Sequence, residues 1–286
     1  MISLLHYKLV KVAQMSGRIQ LENRNNITLH GDGADRPTMI LVHGFGCDQS
    51  MWRHLVPAFR DNFRIVLFDL VGSGGSDLSA YDKAKYSSLQ GYADDLLEII
   101  DHYADGPVVF VGHSVSSMIG LLASNAAAHK FAAQIMVGPS ACYIDDGDYR
   151  GGFSREDIDD LLDTMAGNYL GWSSNMAPAI MGAPESPELG VELTNSFCRT
   201  DPDIAKHFAR VTFLSDHRAD LAKSTTPTLI LQCSDDLIAP KEVGDFIHRA
   251  IPGSQLAMIE NTGHCPHLSA PAASIEAMRA YLAGRR

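Results

Sequence analysis

The sequence predicts an α/β fold: a mostly parallel central sheet with helices on both faces and an inserted helical segment. Three observations carry this. Short apolar, β-branched runs alternate with stretches of helical periodicity through the first half of the chain. From about Ser140 to Thr225 no convincing strand occurs, and amphipathic helices follow one another. The sheet pattern then resumes at Pro227, so the helical stretch interrupts one sheet and is not an independent domain. The expected organisation is an N-terminal extension over 1–24, a core made of 25–139 and 226–286, and a helical lid over 140–225.

Taken in order, Asn26 to His30 reads as an early strand followed by a Gly31–Gly33 turn. Thr38 to Val42 is an apolar strand running into His43-Gly44-Phe45-Gly46, where two glycines in four residues mark a sharp bend. Trp52, Leu55, Val56 and Phe59 recur at helical spacing. Phe63 to Leu67 is a buried strand ending at Asp69. The run Gly72-Ser-Gly-Gly75-Ser76 is no dinucleotide or phosphate loop: no Gly-Lys-Ser/Thr follows, and the next helical pattern, from Leu89, starts too late to cradle a pyrophosphate. In that helix Tyr92, Leu96, Ile99 and Ile100 face the core, and Asp94, Asp95 and Glu98 are expected on the solvated side.

Pro107 opens the strand Val108–Val111, and Met118, Ile119, Leu121 and Leu122 have the content of a buried helix. A chain that turns from strand to helix over so few residues exposes the side chain at the apex, here Ser114 in GHSVS. The helix N-terminus beside it presents backbone N–H groups to a developing oxyanion. The usual G-x-S-x-G pattern is broken at its fifth position by Ser116, where a small residue lets helix and strand approach closely. Ala133 to Gly138 gives one more strand. In the insertion, Gly171, Pro178, Pro184, Pro187 and Pro202 are expected to separate helices. Pro227 to Gln232 and Gln255 to Ile259 return to strand, the first ending near Asp235 and Asp236, the second near His264 and His267.

Serine upstream, acid after one late strand and histidine after the next is the Ser, Asp, His order of a nucleophilic triad. A serine hydroxyl is a poor nucleophile at neutral pH; it needs an imidazole to take its proton and a carboxylate to fix the tautomer. Ser114, His264 and Asp236 fill these roles, with the amides of Phe45 and Val115 as oxyanion donors. His113 and His267 compete with His264, since one adjoins the nucleophile and the other lies past the Gly263 turn. Asp235 competes with Asp236, and the spacing to Pro240 favours Asp236. His43 reads as a loop-shaping residue and Cys265 as a packed thiol.

The bulk numbers narrow the class. At 286 residues the chain can bury a sizeable core. A net charge of −11 argues against nucleic acid and anionic membrane surfaces as partners. The cysteines, Cys47, Cys142, Cys198, Cys233 and Cys265, are scattered and without CxxC spacing, which points to a reducing cytoplasm and to neither disulfide framework nor metal site. Lys8 and Lys11 interrupt the apolar N-terminal stretch, so no secretion signal is expected, and no run is long enough to span a membrane. No cofactor is expected.

With these motifs in hand, residues 25–283 resemble the α/β-hydrolase superfamily. HGFGCDQSMWRHLVPAF, DLVGSGGSD, GHSVSSMIG, MVGPSACYIDD, SDHRADL, LILQCSDDLIAP and GHCPHLS are similar to the RsbQ-type bacterial stress regulators and the plant karrikin and strigolactone receptors, and Ser116 is similar to the GHSVS of the plant receptors. The resemblance implies a four-helix lid over a mostly apolar pocket. It implies Ser114, Asp236 and His264 as triad, Phe45 and Val115 as oxyanion donors, and Tyr143, Phe153, Trp172 and Phe213 as lid or pocket-wall residues. It also implies a small apolar ester, lactone or butenolide-like ligand. Two functions fit: hydrolysis of such a compound, or ligand sensing with slow turnover, read out by a partner phosphatase or signalling protein. Carbon–carbon bond hydrolysis by the same triad is less favoured, and dehalogenase or epoxide-hydrolase chemistry is disfavoured because its nucleophile is Asp.

Overall fold

A computed structural model describes residues 17–31, 33 and 35–285. The expected extension therefore falls partly outside the described residues, and its remainder is helical over 17–25 (α1). The strands are β1 (Thr28–His30), β2 (Thr38–Val42), β3 (Arg64–Phe68), β4 (Val108–His113), β5 (Phe131–Val137), β6 (Thr228–Asp235) and β7 (Gln255–Thr262). They form one sheet in the order β1-β3-β2-β4-β5-β6-β7, parallel except for β1 against β3. The helices are α2 (Val56–Phe59), α3 (Leu89–Tyr103), α4 (Val115–Ala126), α5 (Arg155–Gly167), α6 (Tyr169–Met181), α7 (Pro187–Arg199), α8 (Pro202–Phe213), α9 (Arg218–Leu221), α10 (Lys241–Ala250), α11 (Pro266–Ser269) and α12 (Pro271–Ala283).

Alternating strand residues feed two cores. Ile40, Val42, Val66, Phe68 and Phe110 face α3, α4 and α10, whereas Met39, Leu41, Ile65, Val109, Val111 and Ile135 face the other way, where the core continues into α5–α8. A sheet buried on both faces explains why its strands read as unbroken apolar runs.

Three local expectations are corrected. Asp95 is buried, not solvated: Lys85, Tyr86 and Arg24 converge on its carboxylate at 2.5, 2.7 and 3.3 Å, which offsets the desolvation. Gly171 and Pro178 do not break helices, because α6 runs through both. Gly171 sits in the first turn, where its amide donates to the N-cap Asn168 side chain at 3.0 Å and a Cβ would lie 2.2 Å from Asn168 Nδ2. Pro178 lies on the solvent side of α6, where the carbonyl it leaves without an amide partner can meet water. Pro187 and Pro202, by contrast, start α7 and α8, at positions where a missing N–H is harmless. Among the described residues no helix is long and apolar enough to cross a membrane.

Candidate active site

Strand β4 continues through Gly112 and His113, two residues further than its apolar run, and α4 begins at Val115. The whole turn is therefore Ser114, held at φ 56° and ψ −123°. Such a backbone is costly for a residue with a Cβ and survives only where its surroundings enforce it. Here the Ser114 amide donates to Val137 O of β5 at 2.8 Å. Close approach of α4 to β4 is secured elsewhere: a Cβ on Gly112 would lie 2.5 Å from Ser116 O, and one on Gly120 would lie 2.2 Å from Phe110 Cε1. The fifth position of GHSVS is thus freed for another task. Ser116 is fully buried and its Oγ donates to the His43 carbonyl at 2.5 Å, fastening the start of α4 to the loop after β2.

That loop is shaped from within. Leu70 N donates to His43 Nε2 at 3.0 Å, so the ring proton sits on Nδ1, which donates to Gly44 O at 2.8 Å. Gly44 has no room for a side chain, since a Cβ would lie 2.6 Å from His113 Nδ1. Among the described residues the amides of Phe45 and Val115 have no protein acceptor, and Val115 is the first residue of α4.

His264 Nε2 lies 2.8 Å from Ser114 Oγ, and its Nδ1 lies 2.7 Å from Asp236 Oδ2. The other carboxylate oxygen accepts from the amides of Ile238 and Ala239 at 2.8 and 3.1 Å. The imidazole is itself held by its backbone: His264 N donates to Ile180 O of α6 at 2.8 Å, and its carbonyl accepts from His113 Nε2 at 2.9 Å. All three side chains are buried.

The rival residues lie differently. Asp235 is exposed at the end of β6, where its carbonyl accepts from Gly263 N at 2.7 Å. His267 packs tilted between Trp52 and His113, with ring centroids at 4.6 and 4.5 Å, and neither ring nitrogen has a partner. Burial holds the His113 pKa well below the ordinary histidine value and pushes His267 down to about 3, so both are neutral at physiological pH. Burial likewise keeps the Cys265 and Cys47 thiols protonated. Among the described residues no group of three or more His, Cys, Asp or Glu side chains is arranged to hold a metal.

Above Ser114 lies a cavity of about 30 Å³. A single water occupies roughly 10–15 Å³ on that measure, so the space is small. Tyr143 and Phe213 line it, whereas Phe153 and Trp172 stand outside. Trp172 stacks on Phe197 at 5.7 Å and meets Phe45 edge-on at 6.4 Å, and the backbone of Phe153 pairs with Ile144 in the loop before α5. Further wall residues, unmarked in the sequence, are Ile180, Leu193, Phe197 and Thr212 from the inserted helices. They were hidden because helical periodicity shows that a helix has an apolar face but not which neighbour that face meets.

The model of the alpha/beta hydrolase family matches residues 39–277. The chain is 37% identical over 252 residues to a karrikin insensitive 2 receptor of Petunia hybrida, covering 88% of this chain and 93% of the relative. It is 36% identical over 255 residues to a strigolactone esterase of Arabidopsis thaliana, covering 89% and 94%. The solved structure of a hydrolase from Oleispira antarctica superposes with a TM-score of 0.88 at 43% identity, covering 91% of this chain and 95% of that one.

Proposed function

The chain belongs to the alpha/beta hydrolase family, and from that premise we propose that it hydrolyses small apolar esters or lactones with Ser114 as nucleophile, His264 as base and Asp236 as its orienting carboxylate. The observation that carries this reading is the unbroken hydrogen-bonded line from Ser114 Oγ through the imidazole to Asp236. With its Nδ1 proton donated to Asp236, His264 offers Nε2 as the acceptor for the serine proton. Ser114 Oγ attacks the carbonyl carbon as that proton moves to Nε2. The negative charge gathers on the former carbonyl oxygen, where the Phe45 and Val115 amides donate to it. Collapse expels the alcohol, which takes the proton from His264 and leaves an acyl-serine. Water then gives a proton to the same Nε2 as it attacks, and collapse returns that proton to Ser114 Oγ as the acyl–oxygen bond breaks, releasing the acid and restoring the serine. In a lactone the departing alcohol stays tethered to the acyl group.

On this reading residues 140–225 act as a lid. Their helices are tied to the reacting loops: Arg53 pairs with Glu192 of α7 through two contacts of 2.7 and 2.8 Å, and Ser196 Oγ donates to Gly46 O at 2.8 Å. These ties favour a second reading, ligand sensing. A ligand that reshapes the cavity would also shift the outer face of the helices, which a partner phosphatase or another signalling protein could read. The similarity to receptor proteins, about 37% identical, points the same way. The described cysteines are all unpaired, which suits a cytoplasmic protein.

The test of the first reading is covalent. A fluorophosphonate probe is expected to add once per chain, with the adduct mapped by mass spectrometry to the Ser114 peptide. Labelling confined to another residue, or none, would count against the site.

A further inference from the structure

Hydroxyls in the inserted helices commonly donate to a backbone carbonyl, Ser196 to that of Gly46 and others to one in their own helix. Ser173 Oγ donates to Tyr169 O at 2.8 Å and Thr194 Oγ1 to Gly190 O at 2.9 Å, each bonding back to the carbonyl four residues earlier. Exposed Ser174 does the same to Leu170 O at 2.9 Å. Thr212 on α8 departs from this habit. It is 1% exposed, its Oγ1 has no partner, and it lines the same cavity as Ser114 and His264. The other wall residues from the helices, Ile180, Leu193, Phe197 and Phe213, are apolar.

An orphaned hydroxyl in an apolar wall is costly, and a valine of the same shape would avoid the cost. The group therefore makes sense when a ligand completes it. We propose that Thr212 is a specificity-determining residue: its hydroxyl hydrogen-bonds a second oxygen on the ester or lactone, distinct from the scissile carbonyl. The substrate class is then narrower than apolar esters. It is a small ester or lactone carrying one further ether or carbonyl oxygen, with the rest of its surface apolar to suit the phenylalanine walls. This inference rests on the Ser114 cavity being the ester site.

The test compares matched esters that differ by one oxygen in place of a methylene: p-nitrophenyl pentanoate against the ethoxyacetate and 3-methoxypropanoate, and butyl acetate against 2-methoxyethyl acetate. Taking the ratio of wild type to Thr212→Val for each compound cancels its intrinsic reactivity. At least one oxygenated ester is expected to lose about tenfold in kcat/KM in the variant while its methylene partner stays within twofold. Thr212→Ser, which keeps the hydroxyl, is expected to retain the discrimination. Equal ratios across every pair would overturn the inference while leaving the hydrolase reading intact. Wild-type turnover that is absent, or that survives Ser114→Ala, would remove the inference together with its premise. A separate arm needs no substrate: ligand-free Thr212→Val should melt at or above the wild-type temperature. A fall of several degrees would mean that the hydroxyl is already partnered within the fold, which also overturns the inference.

Discussion

The strand-end loops and the helices above them meet at one cavity yet contribute opposite things to it. From the loops come Ser114, Asp236, His264 and the free amides of Phe45 and Val115, and hydrogen bonds to β5, to neighbouring loop amides and to Ile180 O of α6 hold the first three. From α6, α7 and α8 come Ile180, Leu193, Phe197 and Phe213, which are apolar, and the lone hydroxyl of Thr212. Reacting groups must be held to a fraction of an ångström, which short loops on a buried parallel sheet can do. Walls need only shape and apolar surface, which side-chain changes on the helices can vary while backbone ties such as His264 N to Ile180 O stay in place. On the proposed reading, chemistry and selectivity are carried by different parts of one chain.

Substitutions in the loops test the first half of this comparison, and after loss of the Ser114 hydroxyl itself the largest effect is expected at the carboxylate. Asp236→Asn keeps an oxygen for the Ile238 and Ala239 amides but removes the charge that fixes the His264 tautomer. The expected result is a fall in kcat of about 10⁴ with little change in melting temperature. Activity within tenfold of wild type would show that the imidazole does not depend on this group.

Ser116→Ala probes the fastening of the Phe45 loop. Without its bond to the His43 carbonyl that loop loosens, and kcat is expected to fall about tenfold, short of the roughly 10²–10³ for losing an oxyanion donor outright. A lower melting temperature with kcat unchanged would make Ser116 a purely structural bond. It would also weaken the claim that the loops are held for chemistry.

The smallest effect concerns stability. His267 is neutral in the folded protein with its pKa pushed down to about 3, whereas the unfolded chain binds a proton near the ordinary value of 6.5. As pH falls from 6.5 towards 3 the unfolded state gains a proton that the folded state refuses, so stability declines by up to about 1.4 kcal/mol per pH unit for this group. His267→Leu removes that linkage and two unpaired nitrogens. It is expected to be close to wild type at pH 7 in urea unfolding and relatively more stable at pH 5. An unchanged difference between the two pH values would mean that His267 is not held neutral by burial.

Much of this arrangement was legible in the sequence because its signals are local. An apolar run bounded by turn residues marks a buried strand wherever it occurs, and a strand abutting a helix at Ser114 leaves the backbone little choice. What escaped depends on contacts between separate elements. Asp95 resembled a solvated helix residue because its three partners, Arg24, Lys85 and Tyr86, lie in other segments. Phe197 and Trp172 are both buried aromatics of the inserted helices, yet one lines the cavity and the other backs it, a distinction made by helix rotation rather than composition. Pro178 looked like a terminator because sequence does not reveal that its turn faces water.

Whether the line of groups from residue 114 to residue 236 performs hydrolysis is tested most directly by p-nitrophenyl acetate turnover in wild type and Ser114→Ala at matched folding. The account predicts wild-type activity that falls to the uncatalysed background in the variant. Turnover that persists undiminished without the hydroxyl would contradict it.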